Sequence, residues 1–194
     1  MCLCYNPAEV IEMFGIDSYW VAQILGFIGL GFILCGMQQK KYGMIVFCEV
    51  VNSFFSAVHY LILGGYTGMW ICLVSCFTYV VYWDRNRKGK STLGYQIVFG
   101  IMFTVLSLIS WHSFVSIFVM IAKLVSAVSL GIKSPRIIRF MKLISFPCWL
   151  IYDLYMGSIS GIIGDIMSIG SVVIGIVRLD LSKKKQHAPN REQH

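Results

Sequence analysis

The chain has 194 residues, of which 57% are apolar and only 13% are charged, and its mean hydropathy is +0.74. A soluble domain of this length needs a far more polar surface, so the composition excludes a soluble protein and predicts an all-α polytopic membrane protein. The net charge of +7 does not require a nucleic-acid partner, because basic residues beside membrane spans account for it.

Residues 1–18 precede the first apolar segment and form the predicted external N-terminal segment. Asn6 and Pro7 favour the start of a helix, the first as a cap and the second in the first turn. We therefore expect a short interfacial helix here, and the lack of a basic n-region argues against a removable signal peptide. Cys2 and Cys4 lie on the oxidising side of this topology, where a disulfide or a link between chains is one alternative.

Seven apolar segments follow in chain order. A membrane span needs about 20 mainly apolar residues, and it has to be helical because lipid offers the backbone no hydrogen-bond partners. The division between the fourth and fifth spans rests on the four residues 110–113 alone. The predicted spans are residues 19–37, 43–63, 67–83, 94–110, 112–131, 137–156 and 158–178.

Basic residues mark one end of these spans. They follow the first, third, fifth and seventh spans, whereas the turns at the other end contain neither Lys nor Arg. The positive-inside rule then predicts a multi-pass membrane protein with an external N-terminus and a cytoplasmic C-terminus. The predicted cytoplasmic basic residues are Lys40, Lys41, Arg85, Arg87, Lys88, Lys90, Lys133, Arg136, Arg139, Lys183, Lys184, Lys185 and Arg191.

The apolar plan occurs twice, at an offset of 93 residues. Residues 38–85 align without a gap on residues 131–178, with nine identical pairs among 48. That count is small, but the matches fall on loop ends and on turn residues such as Gly64 and Gly157. An internal repeat of this kind is typical of membrane carriers.

The repeat predicts seven transmembrane helices in a 3+1+3 plan. Three spans per copy would invert the second copy, and a single linker helix restores its orientation, so two parallel three-helix bundles are expected. The predicted divisions are the N-terminal segment, the first bundle, a cytoplasmic loop with the linker helix, the second bundle and a cytoplasmic tail, at residues 1–18, 19–83, 84–111, 112–178 and 179–194.

Four short runs carry a resemblance to a known family. The chain resembles the bacterial YgjV-type inner-membrane proteins over nearly all of residues 19–180, and that family implies a membrane protein without assigning an activity. The runs are YWVAQ at 19–23, HYLILG at 59–64, CWLI at 148–151 and GSISG at 157–161.

In plan, the chain also resembles the SWEET and PQ-loop carriers at greater distance. Those carriers place a substrate-facing Trp and Asn sixteen residues apart, and this spacing selects Trp149 and Asp165 here, with Ser56 and Cys72 as their counterparts in the first copy. The resemblance implies that these four residues bind substrate. The family's Pro-Gln motif lacks its proline in this chain, so proline-hinged gating does not carry over.

The residues themselves also single out Asp165. A carboxylate at membrane depth costs about 2.5–3.5 kcal/mol, so it needs a partner or a function. Lys123, near the middle of its span, is one partner, in a structural ion pair. The alternative is that Asp165 is a substrate or proton site.

Glu49 and Lys142 carry opposite charges at equivalent positions of the two copies. If the bundles face each other, these side chains meet near the cytoplasmic end and close a gate. The alternative is that Lys142 extends toward the membrane surface and Glu49 pairs with a loop lysine.

The sequence lacks the motifs of an enzyme, of a nucleotide site and of a metal site, so we expect no catalytic residue, no cofactor and no metal. Membrane lipid and a small polar or cationic solute are the expected partners. Two functions remain open. The protein is either a small-solute transporter or facilitator with a SWEET-like alternating-access plan, or a non-transporting component of membrane assembly or signalling.

Overall fold

The computed structural model describes residues 18–109 and 114–181 of the chain. This part is all-helical, with seven α-helices and no strand. A π-helix, Ile176–Leu181, continues the last of them. The α-helices are α1 (Ser18–Met37), α2 (Tyr42–Ile62), α3 (Tyr66–Arg87), α4 (Leu93–Ile109), α5 (Ser116–Gly131), α6 (Pro135–Met156) and α7 (Ile159–Gly175).

Each predicted span corresponds to one helix. Four stretches are long and apolar enough to cross a membrane, namely α1, α2, α3 and residues 159–179. Helices α4 and α5 are apolar but shorter, at 17 and 16 residues, and α6 carries three basic residues in its first two turns. By the length and composition of its helices, the chain is a membrane protein with several apolar helices.

Glycines end two of the helices at one end of the molecule. Gly64 follows α2 with a φ of 74°, and Gly157 follows α6 with a φ of 65°. This left-handed conformation costs glycine little and other residues much more, so glycine is the usual residue after a helix end. After Gly157, the Ser158 hydroxyl accepts a hydrogen bond from the Gly161 amide at 3.0 Å and caps α7.

Six helices close a ring around the middle of the molecule. Helices α1, α2 and α3 pack in that order, as do α5, α6 and α7; α1 also packs on α7, and α3 packs on α5. Helix α4 lies outside this ring, against α3 and α5. The ring therefore has α2 and α6 at opposite positions, each at the middle of its own set of three helices.

The two ends of the ring differ in chemistry. At the basic end, which holds Lys40, Arg85, Lys133 and Arg139, the buried Arg139 guanidinium donates to the Met37 carbonyl at 3.1 Å and to the Gln39 carbonyl at 2.7 Å. These bonds satisfy carbonyls that the end of α1 leaves open. The opposite end, with the turns at Gly64 and Gly157, is called the glycine end below.

Helices α2 and α6 face each other in register. Glu49 meets Lys142, and Tyr60 meets Asp153, so both contacts join residues that are 93 positions apart. A constant offset at two levels requires the helices to run in the same direction without stagger. The two levels are eleven residues apart, which is about 16 Å along a helix.

Several sequence predictions fall outside the described residues. They are the N-terminal segment with Cys2 and Cys4, the turn at 110–113 and the tail after residue 181. Within the described ranges, the other five cysteines are free thiols, and no group of His, Cys, Asp and Glu side chains is arranged to hold a metal ion.

Candidate functional site

A cavity of about 90 Å³ lies inside the helix ring. Each of the four predicted substrate residues and each of the three predicted ion-pair or gate residues lines it. These are Ser56, Cys72, Trp149 and Asp165, with Glu49, Lys123 and Lys142. The structure thus gathers in one place residues that belong to five different helices.

Helices α2 and α6 supply matching faces to the cavity. Lining residues recur along each helix at intervals of four, three and four positions, which is the spacing of one face of an α-helix. On α2 they are Glu49, Ser53, Ser56 and Tyr60, and on α6 they are Lys142, Phe146, Trp149 and Asp153. This spacing explains how a chain of mostly apolar spans directs several polar groups to one centre.

Glu49 and Lys142 form a buried ion pair on the basic-end side of the cavity. The Lys142 Nζ atom lies 2.7 Å from Glu49 Oε1, and the two side chains are only 6% and 2% exposed. The Lys142 ammonium also lies 5.5 Å from the centre of the Phe146 ring. The pair connects α2 to α6, so it links the two sets of three helices directly.

Lys123 has no carboxylate partner in the cavity among the described residues. Its Nζ atom lies 5.3 Å from the Trp149 ring centre and 5.7 Å from the Tyr79 ring centre. No carboxylate of the described residues is within ion-pair distance of it, and its exposure is only 6%. The Lys123–Asp165 ion pair, one of the two alternatives that the sequence left open for Asp165, is therefore not formed.

Asp153 on α6 is an acidic neighbour of Asp165 on the cavity wall. Its carboxyl group lies against α7 at Gly161, one turn before Asp165, and the Tyr60 hydroxyl donates to Asp153 Oδ1 at 2.7 Å. Two acidic groups in one buried site repel each other when both are ionised, which favours a state in which one of them carries a proton. One Asp165 oxygen, Oδ2, is buried without a hydrogen-bond partner among the described residues.

Trp149 separates these two charged regions. Its ring stacks on the Tyr60 ring, with centres 5.6 Å apart and planes at 16°, and the Lys123 ammonium lies near it, as described above. An indole face of this kind binds apolar or cationic groups through area burial and cation–π attraction. Cys72 and Ser56 complete the lining on the first set of helices.

Sequence reasoning missed three contributors at the glycine end: Tyr60, Asp153 and His59. It treated Tyr60 as a belt or filler residue and placed Asp153 and His59 near the outer face. His59 contacts the Ala22 carbonyl through Nδ1 at 2.7 Å and the Ser158 hydroxyl through Nε2 at 2.9 Å. The four, three, four spacing, extended from Ser56 and Trp149, predicts Tyr60 and Asp153.

The four sequence runs that carried the family resemblance converge at this end. Gln23 in the first run accepts a bond from the Ser160 amide in the last run at 2.8 Å. The Tyr19 hydroxyl donates to the Gly157 carbonyl at 3.1 Å, while His59 of the second run and Trp149 of the third line the cavity. Residues far apart in sequence thus build one wall.

A family model described as a bacterial inner membrane protein, Imp-YgjV, matches residues 20–183. The chain belongs to the Imp-YgjV family. No curated protein and no solved structure matches it significantly. The matched region covers the described helices from the third residue of α1 onward and every lining residue of the cavity. Membership of this family of bacterial inner membrane proteins therefore applies to the whole site.

Proposed function

We propose that the protein is a small-solute transporter or facilitator that binds its solute in the cavity. The observation that carries this proposal is a polar, charged cavity inside a ring of helices, lined from both sets of three. Burying ionisable groups at membrane depth is costly, and membrane proteins that do so commonly use them on substrate or ion pathways. A purely structural ring has no need of an unpaired lysine such as Lys123.

Unpartnered polar atoms support a polar solute. Ser53 Oγ, Ser160 Oγ and Asp165 Oδ2 are buried without a hydrogen-bond partner among the described residues, and all three residues line the cavity. Buried polar atoms are normally hydrogen-bonded, so such a set is best explained by a ligand or water that completes their bonds.

The proposal includes an internal repeat and a 3+1+3 plan with parallel bundles. Its support is the offset of 93 residues in the contacts between α2 and α6, together with the left-handed glycines that follow both helices. Helix α4 then acts as the linker, outside the ring. Rocking of two such bundles about the cavity gives SWEET-like alternating access.

The proposed gates are the two contacts between α2 and α6. Glu49–Lys142 closes the basic end and Tyr60–Asp153 closes the glycine end. The basic end is cytoplasmic in this proposal because positive residues are retained on that side of the membrane. Each contact joins the two bundles at one end of the cavity. When the bundles rock apart at one end, the contact there breaks while the contact at the other end stays closed.

Binding to the purified protein tests this function. Wild type and Asp165→Asn are heated in detergent with a panel of neutral, cationic, anionic and zwitterionic solutes, and unfolding is followed by intrinsic fluorescence. We expect at least one solute to raise the Tm of wild type, since a ligand that binds only the folded state stabilises it, and we expect a smaller rise in Asp165→Asn. Asp84→Asn is the matched control, because Asp84 pairs with Lys88 on the exposed surface.

The same panel of solutes also tests the alternative function. If no solute raises the Tm and proteoliposomes take up none of them, the protein is a non-transporting component of membrane assembly or signalling. Uptake that is equal in wild type and Asp165→Asn contradicts the binding role of Asp165 but leaves transport in place.

A further inference from the structure

We infer that the solute is a small zwitterion, whose carboxylate binds the Lys123 ammonium and whose ammonium binds the Asp165 carboxyl. This inference rests on the proposed transport function and names the class of solute. It is argued from the charges that line the cavity, their partners and the position of Trp149 between them.

Lys123 supplies the site for the carboxylate. Its ammonium is buried, lies 5.3 and 5.7 Å from the centres of two aromatic rings, and has no carboxylate of the described residues within ion-pair distance. Ring faces attract a cation but do not neutralise its charge. A buried charge that lacks a counter-ion is unfavourable, so an anionic group entering the cavity gains a strong, desolvated partner there.

Asp165 supplies the site for the ammonium. Its carboxyl lines the same cavity as Asp153, which accepts a hydrogen bond from the Tyr60 hydroxyl at 2.7 Å. Asp153 thus has a partner, whereas Asp165 Oδ2 is buried without one among the described residues. A solute ammonium has three donors, and the unpartnered Ser160 hydroxyl also lines the cavity close to this carboxyl in sequence and on the same helix.

The balance of charge selects a solute without net charge. Glu49 and Lys142 neutralise each other in their ion pair. The remaining ionisable groups are the positive Lys123 and the two acidic side chains Asp153 and Asp165, whose mutual repulsion in a buried site favours a single negative charge. A zwitterion satisfies both and leaves no net charge buried, whereas a simple amine or a simple carboxylate leaves one of the two sites unmatched.

Trp149 connects the two sites. Its ring centre lies 5.3 Å from the Lys123 ammonium, and the ring stacks on Tyr60, the hydrogen-bond donor to Asp153. The carbon chain that joins the solute's charged groups therefore lies against the indole. A neutral polyol matches neither charged site and therefore serves as the negative control.

The test compares solutes that differ only in their charged ends. Glycine, β-alanine and γ-aminobutyrate are the zwitterionic probes; propylamine, butyrate and glycerol are the cationic, anionic and neutral ones. In wild-type protein, we expect at least one zwitterion to raise the Tm and to bind at least about tenfold more tightly than any other probe, since it satisfies two charged sites rather than one.

Two variants are expected to shift the solute preference in opposite directions. Lys123→Met removes the carboxylate site, so propylamine is expected to bind at least as tightly as the zwitterion. Asp165→Asn removes the ammonium site, so butyrate gains relative to the zwitterion. Lys88→Met and Asp84→Asn, which change an exposed pair, are expected to leave the wild-type order unchanged.

The outcomes separate the two proposals. Wild-type binding of glycerol, propylamine or butyrate with an affinity equal to or above that of every zwitterion overturns the zwitterion inference and leaves transport standing. Binding of none of the probes or of the broader panel overturns the transport function itself. If a variant does not fold, the wild-type comparison alone decides between these results.

Discussion

Glu49 and Lys142 depend on each other because both are buried. When one member of a buried ion pair is removed, the other remains as an uncompensated charge, at a cost of about 3–5 kcal/mol. We predict that Lys142→Gln destabilises the protein by about this amount, and that Glu49→Gln does the same. The measurement is the free energy of unfolding of the purified protein in a denaturing detergent titration.

The charge swap is the stricter test of this pair. The double variant Glu49→Lys, Lys142→Glu restores opposite charges across the 2.7 Å contact, so it is expected to be more stable than either single reversal. Lys88→Gln provides the control, because its pair with Asp84 is exposed and worth about 0–1 kcal/mol. A swap no more stable than the single reversals shows that the two charges do not interact.

The sequence predicted which ionisable residues line the cavity and one of the two pairs that it proposed among them. Depth and charge sufficed to select Lys123, Asp165, Glu49 and Lys142, because ionisable residues are rare inside spans. Glu49 meets Lys142, as the offset between the two copies predicted. Whether Asp165 meets Lys123 depends on helix rotation, which composition does not determine, and the structure has Lys123 beside aromatic rings instead.

At the scale of the element, helix positions followed closely from the apolar pattern. The predicted bounds of the second and third spans, 43–63 and 67–83, correspond to α2 (Tyr42–Ile62) and α3 (Tyr66–Arg87). Helix α3 extends beyond the predicted span because its last turn is polar. The apolar pattern does not include that turn, although it is helical. The π-helix after α7 was not predicted, because hydropathy does not distinguish a π-helix from an α-helix.

Helix α1 contains a matched pair of glycines for testing its packing on α7. A Cβ added at Gly26 meets the side chain of Ser160, with its Cβ only 2.9 Å away, whereas one added at Gly31 meets nothing within 4 Å. We predict that Gly26→Ala destabilises the protein by about 1–3 kcal/mol, the usual cost of overpacking. Gly31→Ala is expected to be neutral or to stabilise by up to about 1 kcal/mol, because alanine favours helix.

Unfolding of both variants in the same detergent titration checks this prediction. Equal stability of the two alanine variants shows that α1 and α7 are not in close contact at Gly26. The comparison also concerns function, because Ser160 lines the cavity and the bond from its amide to Gln23 links the same two helices. A shift of α1 away from α7 therefore enlarges the cavity at its glycine end.

At the scale of the whole molecule, helices α2 and α6 contact each other at two levels. Glu49 meets Lys142 at one level and Tyr60 meets Asp153 at the other, and both contacts join residues 93 positions apart. In the proposed plan of two parallel bundles these are equivalent positions, and contacts between equivalent positions are expected at the axis that relates the bundles.

We predict the orientation of this ring in the membrane from the charges at its basic end. A variant without native cysteines receives one new cysteine at a time, either Lys90→Cys in the exposed turn after α3 or Tyr66→Cys at the start of the same helix. Both side chains are exposed. Because positive loops stay in the cytoplasm, a membrane-impermeant maleimide added to intact spheroplasts is expected to label Tyr66→Cys and to spare Lys90→Cys until the membrane is opened.

The two positions are each other's control, since they lie at opposite ends of one helix and report the same span from both sides. Labelling of Lys90→Cys in intact spheroplasts, with protection of Tyr66→Cys, reverses the orientation and makes Glu49–Lys142 the external contact. Labelling of both from outside contradicts α3 as a span. The expected pattern places the Tyr60–Asp153 contact toward the external side, so that a solute arriving from outside first meets the carboxyl pair and only then Trp149 and Lys123.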